Sequence, residues 1–275
     1  MDRLFSVAVF CGLYYTFAGW RPFYIAHSIW LFPLTCSLPI GLLMGDVQGA
    51  IVLGATISTL YVGLVATGAE VSADTCGAGL LGTAIGLSIG ADTGIALLIA
   101  VPFGILGLHL NTWRRNVNEK MTHSSHKFER FVREGNEAGI RNCAVWWPLA
   151  ANFITKFVFM VLAVVLGVLL FGALLEILPQ TILVGLSAAG KMLPAAGFAI
   201  MLHVFGKKSI LPFFFLGFFA IKLFHFTTLQ LLCIGGVVAC AVVLLGRDIE
   251  EAALHRLLAV RRQDDEDDDE DDEDE

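Results

Sequence analysis

Glu70 and Asp74 stand four residues apart at the end of an apolar stretch, GATISTLYVGLVATGAEVSAD, at positions 54–74. On a helix that spacing puts both carboxylates on one face. Hydroxyls at Thr56, Ser58, Thr59 and Thr67 share the stretch. Carboxylates and hydroxyls that exchange hydrogen bonds with vicinal hydroxyls, beside an apolar wall, are the groups that recognise a sugar. A carboxylate in hydrocarbon costs a few kcal/mol on insertion scales, so these two must meet water, a polar solute or a cation. An exposed extracytoplasmic loop between two hairpins would satisfy the same demand. Each hydroxyl alone has a structural alternative, bonding the carbonyl one helical turn back.

Lys191 is the next group with chemistry, in GLSAAGKMLPAAG at 185–197. A buried ammonium needs a partner. Glu70, Asp74 or a residue on another chain would serve, or Lys191 sits near a helix end and snorkels to water. Metal and cofactor chemistry find no support. The six cysteines fall singly, without a CxxC or a Cys/His cluster, and read as small buried hydrophobes. His203 and His225 lack ligand spacing. No glycine-rich run ends in Gly-Lys-Ser/Thr, so no nucleotide-binding loop is present, and no nucleophile elbow appears.

The elements that must position these groups are membrane helices. The 275 residues are 56% hydrophobic and only 16% charged, with a mean hydropathy of +0.74, far from the quarter charged of soluble domains. Apolar runs cover 5–111 and 146–246. Arg3 precedes the first, and Tyr14, Tyr15, Trp20 and Arg21 follow with no small-residue cleavage site, so the first helix is expected to be retained. Pro33–Asp74 is apolar but broken by Gly45, Asp46, Gly49, Gly54, Gly63 and Gly68. Interrupted helices and carboxylates at membrane depth survive only where protein or water surrounds them, as in transporters. The expected fold is all-α: a polytopic membrane protein with broken helices and re-entrant hairpins. Apolar helices are expected near 4–20, 27–44, 47–66, 147–175, 180–204, 209–225 and 228–246, with a glycine-rich stretch over 77–110 whose small-residue spacings permit tight packing. The length rule gives roughly six to nine spans.

Four regions follow. Residues 1–110 form an N-terminal membrane region holding the sugar-site segment 46–74. Residues 111–145 form a basic loop with Arg114, Arg115, Arg130, Arg133 and Arg141, cytoplasmic by the positive-inside rule, with Val117, Met121, Phe128, Phe131 and Val132 suited to an amphipathic surface helix. Residues 146–246 form C-terminal membrane helices, and 247–275 a cytoplasmic tail. The tail ends in twelve consecutive acidic residues, Asp264–Glu275; setting them aside turns the formal charge of −7 into +5. Such a run buries nothing and is expected to be disordered, a solubilising spacer dispensable for transport.

Four segments in order, PLTCSLPIGLLMGD (33–46), GATISTLYVGLVATGAEVSAD (54–74), GLSAAGKMLPAAGFAIML (185–202) and PFFFLGF (212–218), resemble the IIC subunit of the mannose/fructose/sorbose family of the bacterial phosphoenolpyruvate-dependent sugar phosphotransferase system. The resemblance spans most of 30–245. It implies a multi-pass permease subunit of the bacterial plasma (inner) membrane, without a phosphorylated residue or cofactor of its own. It carries a hexose or amino sugar with a IID membrane subunit, while cytoplasmic IIA and IIB phosphocarriers phosphorylate it. Higher homo-oligomers of the IIC–IID pair are implied, in contact with membrane lipid and with no nucleic acid. This chain departs from the family pattern: Ser58 stands where the family usually has Glu, Ala66 where it has Asn, Ala73 where it has Pro, and Ser187 where it has Asn. The candidate sugar-binding residues are Ser58, Thr67, Glu70, Asp74 and Lys191. An ion-coupled secondary transporter and a degenerate, non-transporting scaffold are the alternatives. The first lacks visible inverted repeats, and the second fits the lost polar groups but not the retained carboxylates.

Overall fold

A hairpin of two half-length helices opens the architecture. α3 (Pro33–Met44) and α4 (Val47–Tyr61) have 12 and 15 residues, hence lengths of roughly 18–23 Å at 1.5 Å per residue, short of the ~30 Å hydrocarbon core. Gly45, at φ 81°, closes α3 with its N–H on the Gly41 carbonyl, a left-handed position that suits glycine. Asp46 then caps α4, Oδ1 accepting from the Gly49 N–H at 2.8 Å. Glycine at 41 brings the helices close, since a Cβ there would lie 3.0 Å from the Val47 Cα.

The computed structural model describes residues 2–20, 27–64, 73–122, 126–207 and 210–246. Before the hairpin stand α1 (Asp2–Trp20) and the short α2 (His27–Trp30). After it come α5 (Thr75–Ser88), α6 (Thr93–Thr122), α7 (His126–Arg133) and α8 (Glu137–Arg141). A π-helical turn, Asn142–Trp146, leads into α9 (Trp147–Ile177), which is followed by α10 (Gln180–Phe205). Among the described residues there is no strand. Among the described residues four helices are long and apolar enough to cross a membrane: Thr93–Val117, Glu137–Ile177, Gln180–Val204 and Thr228–Gly246.

α5 is the centre. It is buried from Cys76 to Gly86, packed among α1, α3, α4, α6 and α9. Its glycines allow this: a Cβ on Gly79 would lie 2.7 Å from Pro33, on Gly82 2.7 Å from Ala100, and on Gly86 2.8 Å from Ala96. Small residues let helix backbones approach where lipid supplies no hydrophobic drive. α9 does the opposite. Only the stripe Lys156, Met160, Val164 and Gly167 is buried, while Leu162, Leu166, Leu169 and Leu170 are exposed, as fits a helix with one protein face and the rest in lipid.

A second unit starts at Gly206. In it α11 spans Leu211–Phe224, and α12, 228–246, follows. Thr227 and Gln230 trade hydrogen bonds, Thr227 N–H to Gln230 Oε1 at 3.0 Å and Gln230 N–H to Thr227 Oγ1 at 3.4 Å, a capping box at the start of α12.

The helices of the second half lie within about two residues of their expected bounds. Four features of the first half differ. The 47–66 helix ends at Tyr61, followed by a turn at Val62 and Gly63. The 27–44 helix breaks at Leu31–Phe32, because Pro33 disfavours helical backbone in the residue before it. The stretch 77–110 divides at Ile89–Asp92, where Gly90 takes φ 61°. α6 continues to Thr122, so the start of the basic 111–145 segment is an extension of a spanning helix. α7 carries the i,i+4 pairs Arg130–Glu134 and Arg133–Glu129 on its surface. The tail from 247 lies outside the described residues.

Candidate functional site

Asp74 is a buried carboxylate held by three donors. It is non-helical (φ −89°, ψ 90°) and caps α5, Oδ1 accepting from the Gly77 N–H at 2.9 Å. Oδ2 accepts from Asn111 Nδ2 at 3.0 Å and from the Tyr15 hydroxyl. Its own N–H donates to the Gly104 carbonyl at 3.1 Å, and Gly107 leaves room for the carboxylate, a Cβ there lying 2.6 Å from it. Three donors from three helices thus meet one carboxylate that is 6% exposed. Asp74 and Lys156 are the buried charged residues among those described. Both meet Tyr15: Asp74 accepts from its hydroxyl, and Lys156 Nζ is 4.5 Å from its ring centre, a cation–π distance. The cluster joins α1, α5, α6 and α9.

The other sequence-derived residues are not gathered there. Ser58 serves α3: its Oγ accepts the Leu34 N–H at 3.1 Å, one of the donors a helix start leaves open. Thr56 and Thr59 bond carbonyls of their own helix. Thr67 and Glu70 lie outside the described residues. Because Asp74 precedes α5 and is not helical, it does not continue a helical face from Glu70.

Lys191 meets neither Asp74 nor a helix end. It pairs with Asp92 at 2.9 Å, and Ser187, one turn earlier on α10, donates to the same Asp92 oxygen. Asp92 follows the C-terminal end of α5 and Asp74 precedes its N-terminal end, so the 14-residue helix separates them by roughly 20 Å. Glycines set the contact: a Cβ on Gly190 would run into the Gly94 carbonyl, and one on Gly94 into that of Ser187. The Ser187 hydroxyl first, and Lys191 second, hold the Asp92 carboxyl down at about 2. The stability this adds is whole above about pH 4, the ordinary aspartate range, and is lost as pH falls towards 2. Melting of the purified protein is therefore expected to show no step from Asp92 between pH 8 and 4.5. Asp92→Asn should cost about 1 kcal/mol or less, since both side chains are about half exposed.

Tyr15, Asn111, Lys156 and Asp92 were not among the sequence-derived candidates. For Lys156 a signal existed: it is the single cation of α9, and an intramembrane charge is a functional candidate by default.

Two hollows border these clusters. One of about 750 Å³, between α1 and α9, is lined by Leu13, Phe17, Leu149, Phe153 and Ile154 among others and offers little to a hydroxyl. The other, about 460 Å³, lies between the α3–α4 turn and the α5–α6 turn, with Asp46, Gln48, Ala91 and Thr93 on its walls.

In the first unit the spanning helices α6, α9 and α10 pack with the half-length α3, α4 and α5, and these with buried charges and a polar cleft define a polytopic membrane protein of transporter type. The family described as the sorbose-specific IIC component of the phosphotransferase system is matched over residues 5–241, and the chain belongs to it, as a IIC permease component. The sorbose-specific EIIC component of Klebsiella pneumoniae is 25% identical over 231 residues, covering 80% of this chain and 83% of that protein. The fructose permease IIC component of Bacillus subtilis (strain 168) is 25% identical over 235 residues, covering 82% of each. A solved structure described as a membrane protein superposes with a TM-score of 0.66 at 22% identity, over 87% of this chain and 93% of that one, a likeness of fold.

Proposed function

We propose that this IIC component carries a hexose or amino sugar across the bacterial inner membrane. A IID subunit completes the pathway, and IIA and IIB phosphorylate the sugar on arrival, so that no residue of this chain is phosphorylated. The family match over 5–241 carries the reading, and the half-length hairpin beside spanning helices supports it. Thr67 and Glu70 are the proposed sugar-facing groups. They belong to the connection between α4 and Asp74, and Asp74, its oxygens already taken by three donors, positions that connection rather than binding sugar itself. Ser58 plays a similar supporting part through α3.

The test is uptake in proteoliposomes, with a panel of mannose, fructose, sorbose and N-acetylgalactosamine, the sugars for which relatives are named. Uptake is expected only when IID and phosphorylated IIA and IIB are all supplied; saturable uptake by this chain alone would overturn the proposal. In the active complex Glu70→Gln is expected to weaken sugar affinity about tenfold to a hundredfold, the worth of one charge-assisted hydrogen bond. Unchanged half-saturation would place Glu70 away from the sugar.

A further inference from the structure

The cleft between the hairpin turns has a second use for a sugar transporter. We propose that it is an outward-facing entry site for a polyhydroxylated ring, distinct from the Asp74 region; the inference rests on the transport reading above.

Depth comes first. With the arginine-rich 111–141 segment in the cytoplasm, α6 starts on the extracytoplasmic side. Its first turn stops short of the ends of the helices beside it. A Cβ on Gly172 of α9 would lie 3.8 Å from Ile89, about five residues, or roughly 8 Å, short of the end of α9. Gly94 meets Ser187 and Gly190 of α10, roughly 10–15 Å below the start of that helix at Gln180. The α5–α6 turn therefore ends below the ends of α9 and α10, which rise beside it as a rim, and a polar cleft under such a rim admits water or a polar solute.

The walls fit a sugar. Asp46 uses Oδ1 to accept the Gly49 N–H, which leaves Oδ2 for a ligand hydroxyl. The Gln48 amide offers a donor and an acceptor, and Thr93 a hydroxyl. Val52 and Leu87 supply the apolar side against which the C–H face of a pyranose rests. The volume, about 460 Å³, lies in the range of small-molecule sites. Between the wall residues Ala91 and Thr93, Asp92 pairs with Lys191 of α10.

The experiment uses the whole IIC–IID complex in right-side-out vesicles, with the exposed Cys233 and Cys240 replaced by Ala. Ala91→Cys, on the cleft wall, is expected to react with a membrane-impermeant maleimide from outside, and the transported sugar of the panel to slow that reaction severalfold without IIA or IIB. Asp46→Asn keeps the α4 cap, since Asn caps as well as Asp, and is expected to raise the half-saturating sugar concentration of uptake about tenfold with the maximal rate within about twofold. Gln48→Ala, which touches no cap, should shift it in the same direction. Labelling only in inverted vesicles, labelling indifferent to sugar, or unchanged half-saturation in both variants would overturn the entry site. Those results leave transport intact, whereas failure of the unsubstituted complex to take up any sugar strikes the transport reading itself.

Discussion

Asp74→Asn is expected to lower the stability of the folded chain by about 2–4 kcal/mol, because two buried donors lose a charged acceptor at about 1–3 kcal/mol each. The substitution keeps shape and removes charge. One amide edge can still accept the Gly77 N–H, but the other presents an N–H₂ to two groups that now donate, the Tyr15 hydroxyl and Asn111 Nδ2. Lys156→Met is expected to cost less, about 1–3 kcal/mol, because Asp74 retains its three donors. The double variant should then lose less than the sum by at least 1 kcal/mol, as both single changes disturb the same tyrosine, Tyr15. Melting of the purified variants measures all three. Additive losses would show that Tyr15 does not couple Lys156 to Asp74.

How much of this could be read from the sequence follows from the range of each interaction. α9, α10 and α12 are apolar runs of 19 residues or more, and length against bilayer thickness fixes them with no knowledge of neighbours. The first hairpin announced itself by Gly45–Asp46, because a left-handed residue followed by an N-cap is a local signal. The α5–α6 turn was hidden, since Ile89–Asp92 holds no proline and its glycine is one among many in that stretch. The site was half visible. A carboxylate in a membrane segment marks Asp74 from sequence alone, but its partners stand 59 and 37 positions away at Tyr15 and Asn111, and only packing brings them together. Lys191 shows the same limit: its need for an anion was legible, yet the anion is Asp92, one of several acidic residues and chosen by the crossing of α6 over α10.

That crossing yields the second large effect. Gly190→Ala is expected to unseat α10 from the hairpins, although it adds a single methyl group. The added carbon would run into the Gly94 carbonyl oxygen and lie 2.8 Å from the Gly94 Cα. Both are backbone atoms, so no side-chain rotation relieves the clash and the helices must part. Parting them draws Lys191 from Asp92, now 2.9 Å apart, and takes Ser187 with it. Overpacking of this kind costs typically about 1–3 kcal/mol. Gly185 supplies the control on the same helix: a Cβ there has nothing within 4 Å, so Gly185→Ala is expected to be neutral or to stabilise by up to about 1 kcal/mol through helix propensity. Gly197→Ala should follow Gly190, because its Cβ would press on backbone atoms of Thr59 and Leu60 at the far end of α4. Melting of the three variants orders them, with Gly185→Ala highest and the other two well below the parent protein. If Gly190→Ala melts with Gly185→Ala, α10 rides loosely on α6, and the close crossing is not what holds it.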